Sequence, residues 1–252
     1  MRASRTRVAI VGIVLAVCAG AALAQDFGFR GRRGTPIQGA KAPYDGSVAF
    51  TFARLRHGME FGFEPPWAHD YPRAERNFSR ILKEITLVST NLTSSNVYRL
   101  DDPDLFTSPV AYVSEPGYMT MNDEELALMQ AYIRKGGFLI FDDFRDEHWH
   151  NFEEQVRRMV PNARIVQLDE THPIFRSFFN IRIEETQGYY GKATFHGVFE
   201  DNDPTKRLLL IAGYNHDLGE LWEFSDTGLV PVDLSNDAYK YGVNYIIYAM
   251  TH

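Results

Sequence analysis

Cysteine is almost absent from this chain of 252 residues, whose single cysteine is Cys18. Because Cys18 lies in a segment that we expect to be removed on export, the mature chain has no thiol. It can therefore form no disulfide, hold no metal through a thiolate and use no cysteine nucleophile.

The chain also lacks the features of proteins that bind nucleic acid or span membranes. Its formal net charge is −7, and it becomes −10 without Arg2, Arg5 and Arg7 of the first 24 residues. An acidic body disfavours nucleic acid and anionic lipid as partners. After residue 24, no apolar run approaches the ~20 residues that a membrane-spanning helix needs. We expect no nucleic-acid partner, and no transmembrane segment once the signal is removed.

Three common catalytic fingerprints are missing as well. No G-x-G-x-x-G follows the first predicted strand, and no G-x-x-x-x-G-K-[ST] occurs. Tyr112 and Pro116 flank Ser114 where a nucleophile elbow has glycine. These absences disfavour a dinucleotide site, a P-loop and a serine-hydrolase elbow.

The first 24 residues have the pattern of a secretory signal. The three arginines are followed by an apolar stretch over 8–17 and by Ala22, Leu23 and Ala24, a small-x-small cleavage pattern. An uncleaved anchor helix and a lipid-modified Cys18 are the alternatives, but small residues crowd the second half and Val17 is a poor lipidation context. We predict cleavage after Ala24 and a periplasmic or secreted protein.

Residues 25–46 form a predicted flexible tether, because they contain five glycines and show no periodicity. From residue 47 to 252 we predict a single α/β domain. Strands are predicted at 48–52, 96–100, 110–114, 138–141, 164–168 and 208–212. Helices are predicted at 73–88, at 123–135, after an Asn151 cap, and from a Ser235 cap to Met250.

The alternation of strands and helices indicates a mostly parallel sheet with helices on both faces. Residues 171–206 lack periodicity, and we interpret them as an irregular insertion. Ligands of such sheets bind at the carboxyl ends of the strands. The ligand-binding candidates are the polar and aromatic residues that follow the predicted strands: Trp67, His69, Asp70, Glu115, Asp142, Asp143, Asn215 and Asp217.

Asp142 and Asp143 are the sharpest candidates, because they directly follow the apolar run 138–141. They could bind a divalent cation or exchange a proton, but aspartate at this position also caps helices or lies in a solvated turn. His148 and His150 could join them as metal ligands. Asp70 has a similar alternative as the N-cap of the helix near Pro72.

Five short segments in consistent order resemble a bacterial family, the domain of unknown function 4159. They are 67–78, 114–118, 136–143, 172–175 and 215–223, and the resemblance runs from about residue 47 to the C-terminus. It implies a flavodoxin-like or class I glutamine amidotransferase-like fold. Those amidotransferases carry a cysteine in the turn after a central strand, where this chain has Asp142 and Asp143. We therefore expect no amidotransferase chemistry.

Three functions stay open from the sequence. The leading hypothesis is an exported ligand-binding or accessory domain, whose partner is a small ligand or an envelope protein. A metal-assisted hydrolase, using carboxylates and histidines at the strand ends, and a structural interaction module are the alternatives. We expect no cofactor, and a divalent metal stays open as a ligand.

Overall fold

The structure of the protein is a computed structural model that describes residues 50–58 and 65–252. The predicted signal, the predicted tether and residues 48–49 of the first predicted strand lie outside this part of the chain. Within it, no helix combines the length and the apolar character needed to cross a membrane.

The central sheet has seven strands, and two more form a small hairpin. In chain order they are β1 (Ala53–Arg56), β2 (Asn96–Arg99), β3 (Val110–Ser114), β4 (Phe138–Phe144), β5 (Val166–Gln167), β6 (Gln187–Gly188), β7 (Gly191–Lys192), β8 (Thr194–Phe199) and β9 (Leu208–Tyr214). The order across the sheet is β2-β1-β3-β4-β9-β8-β5. Strand β8 is antiparallel to both neighbours, and the other pairs are parallel. The fold is therefore α/β with a mostly parallel sheet, as predicted, and its first five positions follow the flavodoxin-like order.

Helices cover both faces of the sheet. They are α1 (Arg73–Ile85), α2 (Asp123–Arg134), α3 (His148–Met159), α4 (Leu218–Glu223) and α5 (Val232–Thr251). Along β3, Val110 and Tyr112 enter the core beneath α1, α4 and α5, while Ala111 and Val113 enter the core beneath α2 and α3. This alternation follows from the two-residue period of a strand and explains why β3 and β4 are apolar throughout most of their length.

Local signals predicted several elements well. Strand β3 has the predicted bounds, and α2 begins at the predicted cap. Asn122 accepts hydrogen bonds from the backbone of Glu124 and Glu125, and the Glu125 carboxylate accepts one from the Asn122 backbone. This reciprocal capping box is complete within four residues, so a sequence pattern is sufficient to find it.

The first predicted strand, 48–52, is wrong in its placement. Strand β1 starts at Ala53, and of residues 50–52 only Phe50 pairs, in an isolated bridge with Thr90. Phe50 and Phe52 are buried in the core instead. An apolar run indicates burial more reliably than strand pairing. Both rings lie in the core, while Phe50 forms only one bridge and the Phe52 carbonyl accepts one hydrogen bond, from the Asn96 backbone at 2.7 Å.

The predicted starts of two helices are also wrong. Asn151 lies inside α3, where its side-chain amide donates to the carbonyls of Pro116 (2.8 Å) and Met119 (2.9 Å). Ser235 lies inside α5, which begins three residues earlier, at Val232. Both residue types favour caps, but here a tertiary hydrogen bond or the preceding Pro231 decides where the helix begins.

The predicted irregular insertion 171–206 contains regular structure. It holds the β6–β7 hairpin and β8, which lies inside the main sheet between β9 and β5. Conversely, the strand predicted at 164–168 is reduced to the two residues of β5. Strand β8 was missed because Gly197 and His196 interrupt its apolar pattern.

Candidate functional site

The candidate site lies at the carboxyl ends of β1, β3, β4 and β9. Strand β1 is bordered by β2 on one side and β3 on the other, so the chain reverses its direction of travel across the sheet at this point. Such a switch point opens a crevice in open α/β sheets. The last residues of β4 and the segments that follow the other three strands supply the candidate side chains.

Arg54, in β1, fixes the loop that follows it. Its side chain is fully buried, forms an ion pair with Glu75 of α1, and donates to the carbonyls of Trp67 and His69, at 2.9 Å each. The guanidinium also lies 4.9 Å from the ring centre of Tyr112. One buried cation therefore holds the backbone on which His69 is carried.

His69, Glu115 and Asp143, here called the histidine–carboxylate cluster, come from three different strand ends. A ligand-capable atom of each lies within 4.8 Å of those of the others. His69 Nδ1 lies 2.8 Å from Glu115 Oε1, with the two side chains 45% and 14% exposed. The hydrogen bond to Glu115 raises the pKa of His69 to about 9 despite partial burial.

Four of the eight non-glycine residues with positive φ, counted over the described part of the chain, lie in the segments around this cluster. Asp70, Glu115, Asp143 and Asn215 all have positive φ, at 66°, 47°, 57° and 59°. Aspartate and asparagine tolerate this region, whereas a glutamate rarely adopts it. Strained residues of this kind persist where the surrounding structure enforces them, which is typical of ligand sites.

Strand β4 has a bulge where the two consecutive carboxylates lie. The register between β4 and β9 shifts between Phe141 and Phe144, and Asp143 has a left-handed backbone within that shift. Successive side chains of a regular strand point to opposite faces, and a bulge changes that direction. Burial raises the pKa of Asp217, and the charges of Asp143 and Asp142 nearby add to the effect.

Asp142 is buried and connects β4 to the start of α4. Its Oδ2 accepts hydrogen bonds from Tyr112 (2.6 Å) and from the backbone of Leu218 (2.7 Å) and Gly219 (3.2 Å). Burial, with a contribution from Asp143, raises the pKa of Asp142 to about 7. Asp142 therefore accepts from the first turn of α4, which begins 76 residues further along the chain, and not from the next segment as the capping interpretation expected.

Asp143 is held by a tyrosine from the segment that we predicted to be irregular. Tyr190 Oη, in the turn of the β6–β7 hairpin, lies 3.1 Å from Asp143 Oδ1 and 3.2 Å from Asp217 Oδ2. The Arg145 guanidinium lies 3.8 Å from the ring centre of Tyr190. Burial raises the pKa of Asp143 to about 6, and the negative charge of Glu115 adds to the effect.

Asp70 is not the N-cap of α1. Pro72 occupies that position, and Asp70 contributes only its backbone carbonyl, to Ala74 at 2.9 Å. Its carboxylate faces α4 instead, since a Cβ added to Gly219 would lie 2.2 Å from Asp70 Oδ2. Burial raises the pKa of Asp70 well above its ordinary value, and repulsion from Asp143 adds to it.

The remaining candidates have different surroundings. The side chain of Asn215 donates to the Lys192 carbonyl at 3.3 Å, and buried Asp217 accepts from the Glu220 backbone at 2.9 Å. The Trp67 ring is buried, with the Arg56 guanidinium 5.7 Å from its centre.

His148 and His150 do not join the carboxylates. Both lie in the first turn of α3. The ring centres of His148 and Tyr118 lie 4.9 Å apart, and His150 is exposed. Neither belongs to the metal-capable groups found among the residues that the structure describes. Residues two apart on a helix point in directions about 200° apart, so this pair cannot share one ion.

Sequence reasoning missed Arg54, Tyr112, Tyr190 and Glu220. Arg54 carried a readable signal, because a charged residue within an apolar strand needs a buried partner. Tyr112, Tyr190 and Glu220 carried no such signal, because contacts between distant segments place them at the site.

Comparison with protein families gives a match over most of the described chain. The model described as "Domain of unknown function (DUF4159)" matches residues 51–250. No curated protein matches the chain.

Proposed function

The chain belongs to the domain of unknown function 4159 family, and from that premise we propose a function based on the site itself. The protein is an exported domain that binds a divalent cation, and a small ligand through that cation, at the histidine–carboxylate cluster.

One observation carries this proposal: His69, Glu115 and Asp143 converge from three strand ends to within 4.8 Å. Neither capping nor solvation of one carboxylate requires an imidazole and a second carboxylate from other strand ends beside it. An imidazole with two carboxylates suits Zn²⁺, Mn²⁺ or Fe²⁺.

The charge of the surroundings supports the same conclusion. Asp70, Asp142 and Asp217 lie buried around the cluster, and burial raises the pKa of each. The buried cation nearby, Arg54, already forms an ion pair with Glu75. Carboxylates that are buried together repel one another when ionised, and a bound cation offsets that cost.

Export is the second part of the proposal, and it is supported by the signal pattern of residues 1–24. Intact-mass measurement of protein extracted from the cell envelope tests it. We expect a mature chain that starts at Gln25. A mass that retains residues 1–24, or a lipid on Cys18, would contradict this part.

Cation binding is tested by titrating chelator-treated protein with Zn²⁺ in a calorimeter. We expect Asp143→Asn to weaken binding by at least about tenfold, because it removes a charged ligand. Asp146→Asn is the matched control, since Asp146 also has positive φ (48°) but its side chain is 71% exposed. Equal Zn²⁺ affinity in wild type and Asp143→Asn would overturn the proposal and favour the interaction module.

A metal-assisted hydrolase is the second candidate, now with His69 in place of His148 and His150. The observation that favours it is the orientation of His69, whose Nδ1 is held by Glu115 while its side chain stays 45% exposed. In this candidate Glu115 and Asp143 hold the cation, and the His69 imidazole moves protons for water bound to it instead of serving as a ligand.

This candidate is tested by incubating Zn²⁺-loaded protein with chromogenic phosphate monoesters, phosphate diesters and carboxylic esters. We expect turnover of one class, its loss in His69→Gln and its retention in His150→Gln. Absence of turnover by the Zn²⁺-loaded protein on all three classes would contradict the hydrolase and leave cation-dependent binding.

A further inference from the structure

A second metal-capable group lies next to the first. Asp70, Glu220 and Glu223 each offer a carboxylate oxygen, and these oxygens lie within 4.8 Å of one another. Asp70 lies in the segment between β1 and α1. Glu220 and Glu223 lie one turn apart on α4. We call these three residues the carboxylate cluster.

The Asp70 carboxylate is the feature that points to a ligand. Its Oδ2 is inaccessible to solvent and accepts no hydrogen bond within residues 50–58 and 65–252. It lies against the Cα of Gly219, where any larger residue would displace it. A buried carboxylate oxygen without a donor is costly, so an interaction with a cation would compensate it.

The two clusters are adjacent along the chain and in space. His69 of the first and Asp70 of the second are consecutive residues, and their shared loop is held by Arg54. Asp143 of the first lies close enough to repel both Asp70 and Glu220. Other polar neighbours of the carboxylate cluster are Arg54, which attracts Asp70, and Tyr189, whose hydroxyl lies 3.2 Å from Glu220 Oε1.

We propose that the site holds two divalent cations, and that the carboxylate cluster binds the second one. This inference deepens the proposed function and rests on it for the first ion. The second ion is a hard cation of the Ca²⁺, Mg²⁺ or Mn²⁺ class, because its three protein ligands are all carboxylate oxygens. The first cluster, with its imidazole, binds Mn²⁺ but disfavours Ca²⁺.

The test is the stoichiometry of Mn²⁺ bound to chelator-treated protein, measured by equilibrium dialysis with elemental analysis. We expect two ions in wild type, one in Glu220→Gln and one in Glu115→Gln. Glu124→Gln, an exposed glutamate on α2, is the control and retains two. Circular dichroism of each variant checks that the fold is intact.

Ca²⁺ separates the two clusters. We expect one Ca²⁺ in wild type, lost in Glu220→Gln and kept in Glu115→Gln. A single Mn²⁺ that is lost in Glu115→Gln but kept in Glu220→Gln would overturn the second site and leave the proposed function standing. A single Mn²⁺ that is lost in Glu220→Gln but kept in Glu115→Gln would overturn cation binding at the histidine–carboxylate cluster alone. Absence of bound Mn²⁺ would overturn both.

Discussion

Helices α2 and α4 both begin among acidic residues, but their first turns are built in different ways. At α2, Asn122 and Glu125 satisfy each other's backbone within four residues, at an exposed surface. At α4, Asp217 caps one backbone group locally, while Leu218 and Gly219 donate to Asp142 on β4.

The difference has an electrostatic consequence. The acids of α2 are solvated, so they stabilise the helix end without strong mutual repulsion. Those at α4 are buried together, and burial raises the pKa of both Asp142 and Asp217. A helix start made by tertiary contacts thus becomes part of a site that favours protons or cations, whereas a local one remains a structural cap.

The largest expected loss of stability comes from replacing Arg54, which holds the segment after β1 at the carboxyl edge of the sheet. Arg54→Met leaves Glu75 buried and unpaired, so we expect a loss of about 3–5 kcal/mol in the free energy of unfolding. Urea denaturation measures it. In Arg54→Met/Glu75→Met, stability should return in part, but cation affinity should not, because the Trp67 and His69 carbonyls lose their donor. A loss below about 1 kcal/mol in the single variant would show that Arg54 does not anchor the edge.

Asp142→Ala should give the second-largest loss in the free energy of unfolding. It leaves the Tyr112 hydroxyl and two backbone groups of α4 without an acceptor, at a cost of about 2–3 kcal/mol. The measurement is made at pH 5, where a group of pKa about 7 is mostly protonated and the loss reflects hydrogen bonds. Asp142→Asn keeps an acceptor oxygen and should recover most of the stability. Equal losses in the two variants would contradict a capping role across the sheet.

The pH dependence of stability should differ between the two helix starts: it should depend on Asp142 at α4 and not on Asn122 at α2. The folded pKa of Asp142, about 7, lies above its unfolded value of 3.8. The native state therefore binds the extra proton between these values, and the contribution of Asp142 to stability is lost as pH rises through about 7. In chelating buffer, the stability of Asp142→Asn relative to wild type should rise by up to about 1.4 kcal/mol per pH unit in this window.

Asp146→Asn is the control for this pH series, because its exposed side chain should leave the wild-type slope unchanged. Denaturation curves at four pH values between 4.5 and 7.5 give the slopes. Parallel slopes for wild type and Asp142→Asn would mean that Asp142 is ionised normally in the folded protein.

The smallest effect is expected at α2. Asn122→Ala removes the acceptor for two backbone groups at an exposed helix end, at a cost of about 1 kcal/mol. Cation affinity and the pH dependence of stability should remain those of wild type. A change in either would show that the local cap is coupled to the site after all.

Prediction from the sequence succeeded where the signal was local. Strand β3 and the capping box of α2 depend on periodicity and on residues three apart, and both were found. Asn151 and Ser235 had the same residue types as caps, yet both lie inside helices because other contacts satisfy them. Strand β8 was missed since Gly197 and His196 interrupt its apolar pattern, and its place in the sheet is set by its pairing with β9.

The candidate site was predicted in part for the same reason. His69, Glu115 and Asp143 were named because they follow strands, and the parallel sheet brings them together. His148 and His150 were named for their spacing, which helix α3 turns into divergent directions. Glu220 and Tyr190 were not named, because neither follows a predicted strand directly.

The sequence by itself determined the α/β class, the helix-covered sheet and the acidic character of its carboxyl edge, because these depend on composition and on short-range periodicity. Only the tertiary structure decided which acids are buried, which pair and which converge. Those properties arise from contacts between residues such as Asp142 and Leu218, 76 positions apart. Burial and the proximity of like charges, not residue type, are what turn an aspartate from a cap into a candidate ligand.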